Sequence, residues 1–221
     1  MIFDNATIIT MNKNREIVTH GAIAVSSGKI AAVGKSDQIC ERYPEKKRIN
    51  CNGNVILPGF IDTHVHTAQA MLRGCADDLG LLDWLAKRVW VLQGNYSYED
   101  GQASAALCAL EMIKSGTTAF LECMLAEVYG IDGVVEKIIE SGLRGAIGKI
   151  VMDLPSYAQA ENLMHPGMVE DGETSVTNTL AAFDRWNGAA DGRIQIWFGA
   201  RTPGGVSPEL FDRISQLAAE R

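Results

Sequence analysis

The stretch Pro58-Gly59-Phe60-Ile61-Asp62-Thr63-His64-Val65-His66 decides how this chain is read. An apolar run from Val55 to Ile61 leads into two histidines one residue apart. In extended backbone, side chains at i and i+2 leave the same face of a strand. Both imidazoles are therefore presented side by side at a strand end, a spacing that suits one divalent cation. Asp62, two residues before His64, shares that face and is expected to cap the strand or brace a ligand. The remaining histidines do not extend the pair. His20 lies in a β segment, and His165 precedes a proline in a polar loop, where solvation is expected.

Upstream, residues 2–57 read as short β-strands. Ile2 to Thr10 is apolar and β-branched, and Ala22 to Val25 and Ile30 to Val33 flank the hairpin signal Ser26-Ser27-Gly28-Lys29. Ile49 to Cys51 and Val55 to Leu57 add two extended pieces around the turn Asn52-Gly53-Asn54.

From Pro58 onward the rhythm becomes strand, loop, helix, repeated four times. Helical stretches are expected around Ala68 to Arg73 and Leu82 to Leu92. Ser97-Tyr98-Glu99-Asp100 has the form of a capping box and opens a helix whose expected buried stripe is Ala103, Ala106, Leu107, Leu110 and Ile113, stopped by Gly116. Strands are expected at Thr117 to Cys123, Leu143 to Met152 and Ile194 to Ala200. A helix carrying Ile131, Val134, Val135, Ile138 and Ile139 on one face lies between the first two of these. A longer loop to about Gly172 precedes another helix, with Val176, Leu180 and Phe183. Ser207-Pro208 caps the last helix, striped by Leu210, Ile214, Leu217 and Ala218.

Alternating strands and helices imply parallel pairing through right-handed crossovers. Four such units make half of an eight-stranded barrel, which needs about 250 residues. The 221 residues therefore form part of such a barrel, or pair with something that covers two open edges, or fold as a doubly wound open sheet. The lack of a glycine-rich phosphate fingerprint after the first strand weakens the last option.

Composition narrows the function classes. The chain is 47% hydrophobic and 21% charged, with a net charge of −7 and no basic run, which argues against nucleic acid or an anionic membrane as a partner. No apolar segment approaches the ~20 residues of a transmembrane helix. Cys40, Cys51, Cys75, Cys108 and Cys123 are odd in number, widely spaced and free of CxxC pairs, as expected of reduced thiols in a cytoplasmic protein.

These residues also carry a resemblance. The β-rich opening followed by Val55 to His66 resembles the start of the amidohydrolase superfamily. Met71 to Leu79, Leu82-Asp83-Trp84-Leu85, Trp90 and Ala109 to Thr118 resemble its cyclic deaminase and triazine chlorohydrolase branch, which includes S-adenosylhomocysteine/methylthioadenosine deaminases. The resemblance covers essentially the whole chain but only the first half of that branch's catalytic domain. It implies a (β/α)8 barrel, with 58–221 as its incomplete first half and 1–57 as the amino-terminal part of a composite β-sandwich. It also implies one divalent metal, zinc or iron, held by His64 and His66 together with a later histidine and aspartate. The segment Ile194 to Ala200 offers no bridging lysine or glutamate, which favours a mononuclear site.

Two departures bear on substrate. Arg201 stands where nucleoside deaminases of the branch place a histidine, and the glutamate with which they contact ribose is replaced near Gln93. Arg201 is expected to grip a carboxylate or polarised ring oxygen, with Gln93 and Trp84 as further substrate contacts. Glu122 and Cys123 are expected to pack in the core or line a pocket without ligating, and Lys149 not to bridge metals. The expected activity is metal-dependent hydrolysis of a C–N bond in a small cyclic amidine-like heterocycle by activated water. No catalytic base is visible, so this chain alone is expected to be inactive. The competing expectation is a non-catalytic truncated homologue that serves as partner or decoy, or a homodimer of half-barrels.

Overall fold

The computed structural model describes all residues except 158, 159, 161 and 162; that part of the long loop lies outside the described residues. Contacts divide the chain into two compact units, Met1–Gly59 and Phe60–Arg221.

The first unit is a five-stranded sheet built from β1 (Ile2–Ile9), β2 (Ile17–Ser26), β3 (Lys29–Lys35), β4 (Arg48–Asn50) and β5 (Val55–Ile56). The order is β3-β2-β1-β4, with β5 also on β1. The hairpin between β2 and β3 closes on the Ser26↔Lys29 pair, and both turn residues take positive φ, 49° at Ser27 and 72° at Gly28. That backbone matches the right-handed twist of the strands it joins. One element departs from the all-β expectation. Ser36–Arg42 forms the helix α1, which buries Ile39 and Cys40 against Ile2, Ala22 and Ala24. Two apolar residues in seven are too few for a periodic signal, and tertiary packing decides the conformation.

The second unit carries four parallel strands, β6 (Phe60–Val65), β7 (Thr117–Leu125), β8 (Arg144–Val151) and β9 (Ile194–Ala200), paired in sequence order. A 3-10 turn, Thr67–Leu72, follows β6. Next come α2 (Leu81–Trp84), a π turn (Leu85–Val89), α3 (Trp90–Gln93) and α4 (Tyr98–Ser115). The helix α5 (Ile131–Ser141) joins β7 to β8. Then α6 (Gly172–Trp186) and the single distorted turn α7 (Ala189–Gly192) join β8 to β9, and α8 (Pro208–Glu220) follows. The sequence signals for helix ends hold. Ser97 and Asp100 exchange capping-box bonds of 2.9 and 3.2 Å, Gly116 stops α4 at φ 86°, and the Ser207 side chain caps α8.

The main core joins α3, α4, α5 and the inner strands through Trp90, Leu125, Tyr129, Ile138 and Ile147, all fully or almost fully buried. Strand β8 is buried along most of its length, as a covered parallel strand should be. The outer strands are not. Ile61 on β6 is 69% exposed and Trp197 on β9 is 49% exposed. Inside the sheet, strands approach closely. A Cβ at Gly148 on β8 would come within 2.7 Å of the Glu122 carbonyl oxygen on β7.

Helix α4 turns a different face inward from the one its large apolar residues suggest. Ala103, Ala106, Leu107, Leu110 and Ile113 are all exposed, whereas Gly101, Ser104, Ala105, Ala109 and Met112 are buried. Small residues let the helix approach its neighbours closely. A Cβ at Gly101 would sit 2.9 Å from the Tyr129 carbonyl oxygen, and the Ser104 hydroxyl donates to the Thr67 carbonyl at 2.9 Å. A hydrophobicity pattern weights large side chains and misses a face chosen for its flatness. Urea unfolding should separate the two faces: Ala109→Leu is expected to cost about 1–3 kcal/mol by overpacking, while Leu110→Ser changes stability by less than about 0.5 kcal/mol.

Candidate metal centre

His64 lies near the carboxyl end of β6 and His66 just beyond it. The two rings meet edge to face with centroids 5.0 Å apart, so the strand spacing does what the sequence implies. Asp62 does not join them directly; its Oδ1 accepts the His64 backbone N–H at 3.1 Å and fixes the strand end. The neighbouring strand supplies Cys123, whose Sγ lies 3.6 Å from His66 Nδ1 and 3.7 Å from His64 Nε2. One ligand atom from each of His64, His66 and Cys123 falls within 4.8 Å of the others.

Beneath this cluster sits Glu122, fully buried. Its carboxylate accepts the Thr67 backbone N–H at 2.6 Å, the Thr67 hydroxyl, and the Met124 N–H at 2.8 Å. It also lies 3.8 Å from His66 Nδ1. A carboxylate beside a ligating imidazole fixes the ring's orientation and raises its basicity. Burial of His66 disfavours its charged form, yet hydrogen bonding to Cys123 and the bond and charge of Glu122 outweigh it, pushing the imidazolium up to about 9. A metal at this ring therefore competes with a firmly held proton. The β7 end is braced further by the buried Tyr129, whose hydroxyl accepts the Ala126 N–H at 2.9 Å and donates to the Met124 carbonyl at 3.3 Å.

The other residues singled out in the sequence are placed as follows. Arg201, immediately after β9, is half-buried, and its backbone N–H donates to the Val151 carbonyl at 3.3 Å. Its Nε is buried without a partner among the described residues. Burial lowers its pKa, opposed by the nearby Tyr157, Cys123, Tyr129 and Glu122. Gln93, at the end of α3, is fully buried; its Oε1 accepts from Gln69 at 3.1 Å, and its Nε2 has no partner among the described residues. Trp84 is half-buried against the main core. Lys149 is fully buried and ion-paired to Glu170, with Glu127 at 3.7 Å. His165 is not simply solvated: its Nδ1 accepts the Gly167 N–H at 3.1 Å, and its Nε2 lies 3.2 Å from the Asn95 amide. Sequence reasoning placed Glu122 and Cys123 toward the carboxyl end of their strand; the structure adds the bonds of Glu122 to Thr67 and Met124 and the contact of Cys123 with both imidazoles. Their signal was position: a carboxylate and a thiol at the carboxyl end of the strand paired to the histidine strand.

The amidohydrolase family profile matches residues 55–221. The chain belongs to the amidohydrolase family. Residues 21–45 match the profile of an imidazolonepropionase-like composite domain of bacteria. A 5-methylthioadenosine/S-adenosylhomocysteine deaminase from Pelotomaculum thermopropionicum is 31% identical over 99% of this chain and 46% of its own length. A 5'-deoxyadenosine deaminase from Methanosarcina acetivorans is 30% identical, again over 99% and 46%. Among solved structures, an atrazine chlorohydrolase from Arthrobacter aurescens complexed with zinc superposes with a TM-score of 0.77 at 23% identity, covering 99% of this chain and 50% of that one. The chain thus spans about half the length of the curated relatives it matches.

Two imidazoles and a thiol are a donor set suited to the metal on which this family depends. The buried Glu122 network is the part most sensitive to a single atom. In Glu122→Gln the amide has one acceptor oxygen where the carboxylate has two, so a buried backbone N–H faces another donor. Denaturant unfolding should report a loss of about 1–3 kcal/mol, and zinc titration a roughly 10–100-fold weaker affinity.

Proposed function

We propose that this chain carries the opening half of a mononuclear, metal-dependent (β/α)8 hydrolase that deaminates a small cyclic amidine-like heterocycle. The observation that carries the reading is the histidine pair at the carboxyl end of the first parallel strand, gathered with a thiol on the next strand in a member of the amidohydrolase family. The deaminase relatives support the reaction class. The exposed Ile61 and Trp197 on the two outer strands are side chains that further strand-helix units of a barrel would cover. Residues 1–57 are then the amino-terminal part of a composite β-sandwich, and the five free cysteines suit the cytoplasm.

His64 and His66 would hold the metal, zinc in the first instance and iron as the alternative. Bound zinc lowers the pKa of a coordinated water toward neutrality. Glu122 keeps the His66 ring aligned and cannot serve as the base, because both carboxylate oxygens already accept bonds from Thr67 and Met124. Arg201, with an unpartnered buried Nε, would take a carboxylate or polar ring atom of the substrate. Gln93 and Trp84 would form the adjoining wall. These groups bind and orient; a base and a proton shuttle must come from elsewhere, so the 221 residues alone should turn over poorly.

Ammonia release from purines, pterins and triazines by the zinc-loaded chain tests the claim. Activity at the 1–10³ s⁻¹ common among enzymes would show that no further groups are required and sink that part of the reading. For Arg201, calorimetric titration with a carboxylate-bearing heteroaromatic should give binding about 1.5–3 kcal/mol weaker in Arg201→Ala, with little change for a neutral analogue. Equal losses for both ligands would remove Arg201 from substrate recognition.

A further inference from the structure

We infer that Cys123 is a third protein ligand of the metal held by His64 and His66, making a two-nitrogen, one-sulfur set from adjacent parallel strands. The inference rests on the reading of the histidine pair as metal ligands and goes beyond it by assigning the thiol.

The distances carry the argument. Metal–sulfur bonds of about 2.3 Å and metal–nitrogen bonds of 2.0–2.1 Å at a tetrahedral angle place sulfur and nitrogen roughly 3.5 Å apart. Cys123 Sγ stands 3.9 Å from His66 Nε2, the ring nitrogen that Glu122 leaves free, and 3.7 Å from His64 Nε2. It is thus close to equidistant from both rings, within a few tenths of an ångström of the edge of one coordination tetrahedron. The plainer account is a thiol donating to the Val65 carbonyl, which lies 3.4 Å away. That contact explains one neighbour and leaves the two imidazoles unexplained.

Glu122, the adjacent residue, locks the end of β7 through Thr67 and Met124, so the sulfur is held in place by its own backbone. On metal binding the thiol gives its proton to solvent, and the sulfur lone pair forms the metal bond. Within these 221 residues, three protein ligands leave a fourth position for water or for a ligand supplied from outside this chain. A thiolate also biases the set toward zinc over harder cations such as magnesium or manganese.

Cobalt(II) substitution of the full 221-residue chain reads the donor set without any turnover. One equivalent of cobalt should give visible ligand-field bands of a four-coordinate ion together with a near-ultraviolet thiolate-to-cobalt charge-transfer band. Cys123→Ala should abolish the charge-transfer band, keep weaker ligand-field bands, and weaken zinc binding by more than the roughly 10–100-fold that loss of an outer partner costs. Cys108→Ala should change none of these. Ligand-field bands without charge transfer in the unsubstituted chain would overturn the assignment of Cys123 and leave the histidine pair standing. Failure to bind cobalt at all, with His64→Ala making no difference, would overturn both. Should Cys123→Ala fail to fold, X-ray absorption on the zinc-loaded natural chain decides alone: one sulfur at about 2.3 Å supports the ligand, and a shell of nitrogen and oxygen only refutes it.

Discussion

Glu122 is a carboxylate with no access to water, and its need for hydrogen bonds organises everything around it. A buried anion is tolerated only when its lone pairs are met. Meeting them pins the Thr67 backbone and hydroxyl on one side and the Met124 backbone on the other. Thr67 begins the turn that follows His66, and its carbonyl in turn receives the Ser104 hydroxyl from α4. One side chain therefore ties the histidine strand, the thiol strand and the first long helix into a single unit. His64, His66 and Cys123 inherit their positions from that unit.

The legibility of the fold follows from what each element uses to hold itself. Helices α5 and α8 bury large aliphatic residues at helical spacing, and their stripes were readable from the sequence apart from the exposed Ala218. Caps at Ser97 and Ser207 are local chemistry and were equally readable. Helix α4 packs through Gly101, Ser104, Ala105 and Ala109, where the stabilising quantity is closeness of approach, and closeness has no periodic hydrophobic signature. Helix α1 fails for a related reason, since its two buried residues derive their partners from distant strands.

The site divides in the same way. His64 and His66 announce themselves because their relation is two residues along one strand. Glu122 and Cys123 reach them across a strand pairing, in which Val65 opposes Glu122, and register between strands is a tertiary fact. Arg201 was singled out by its place after the fourth parallel strand. Its unpartnered buried Nε is something only coordinates reveal.

Gly148 has a consequence that reaches beyond its own strand. With a Cβ there 2.7 Å from the Glu122 carbonyl oxygen, any side chain must push β8 away from the strand that bears Glu122 and Cys123. Substitution at this position is thus felt at Glu122 and Cys123, although the residue has no functional group of its own. In evolutionary terms the permitted alphabet at 148 is set by the tolerance of the neighbouring site for displacement. A position silent in chemistry is thereby constrained by the chemistry of its neighbour.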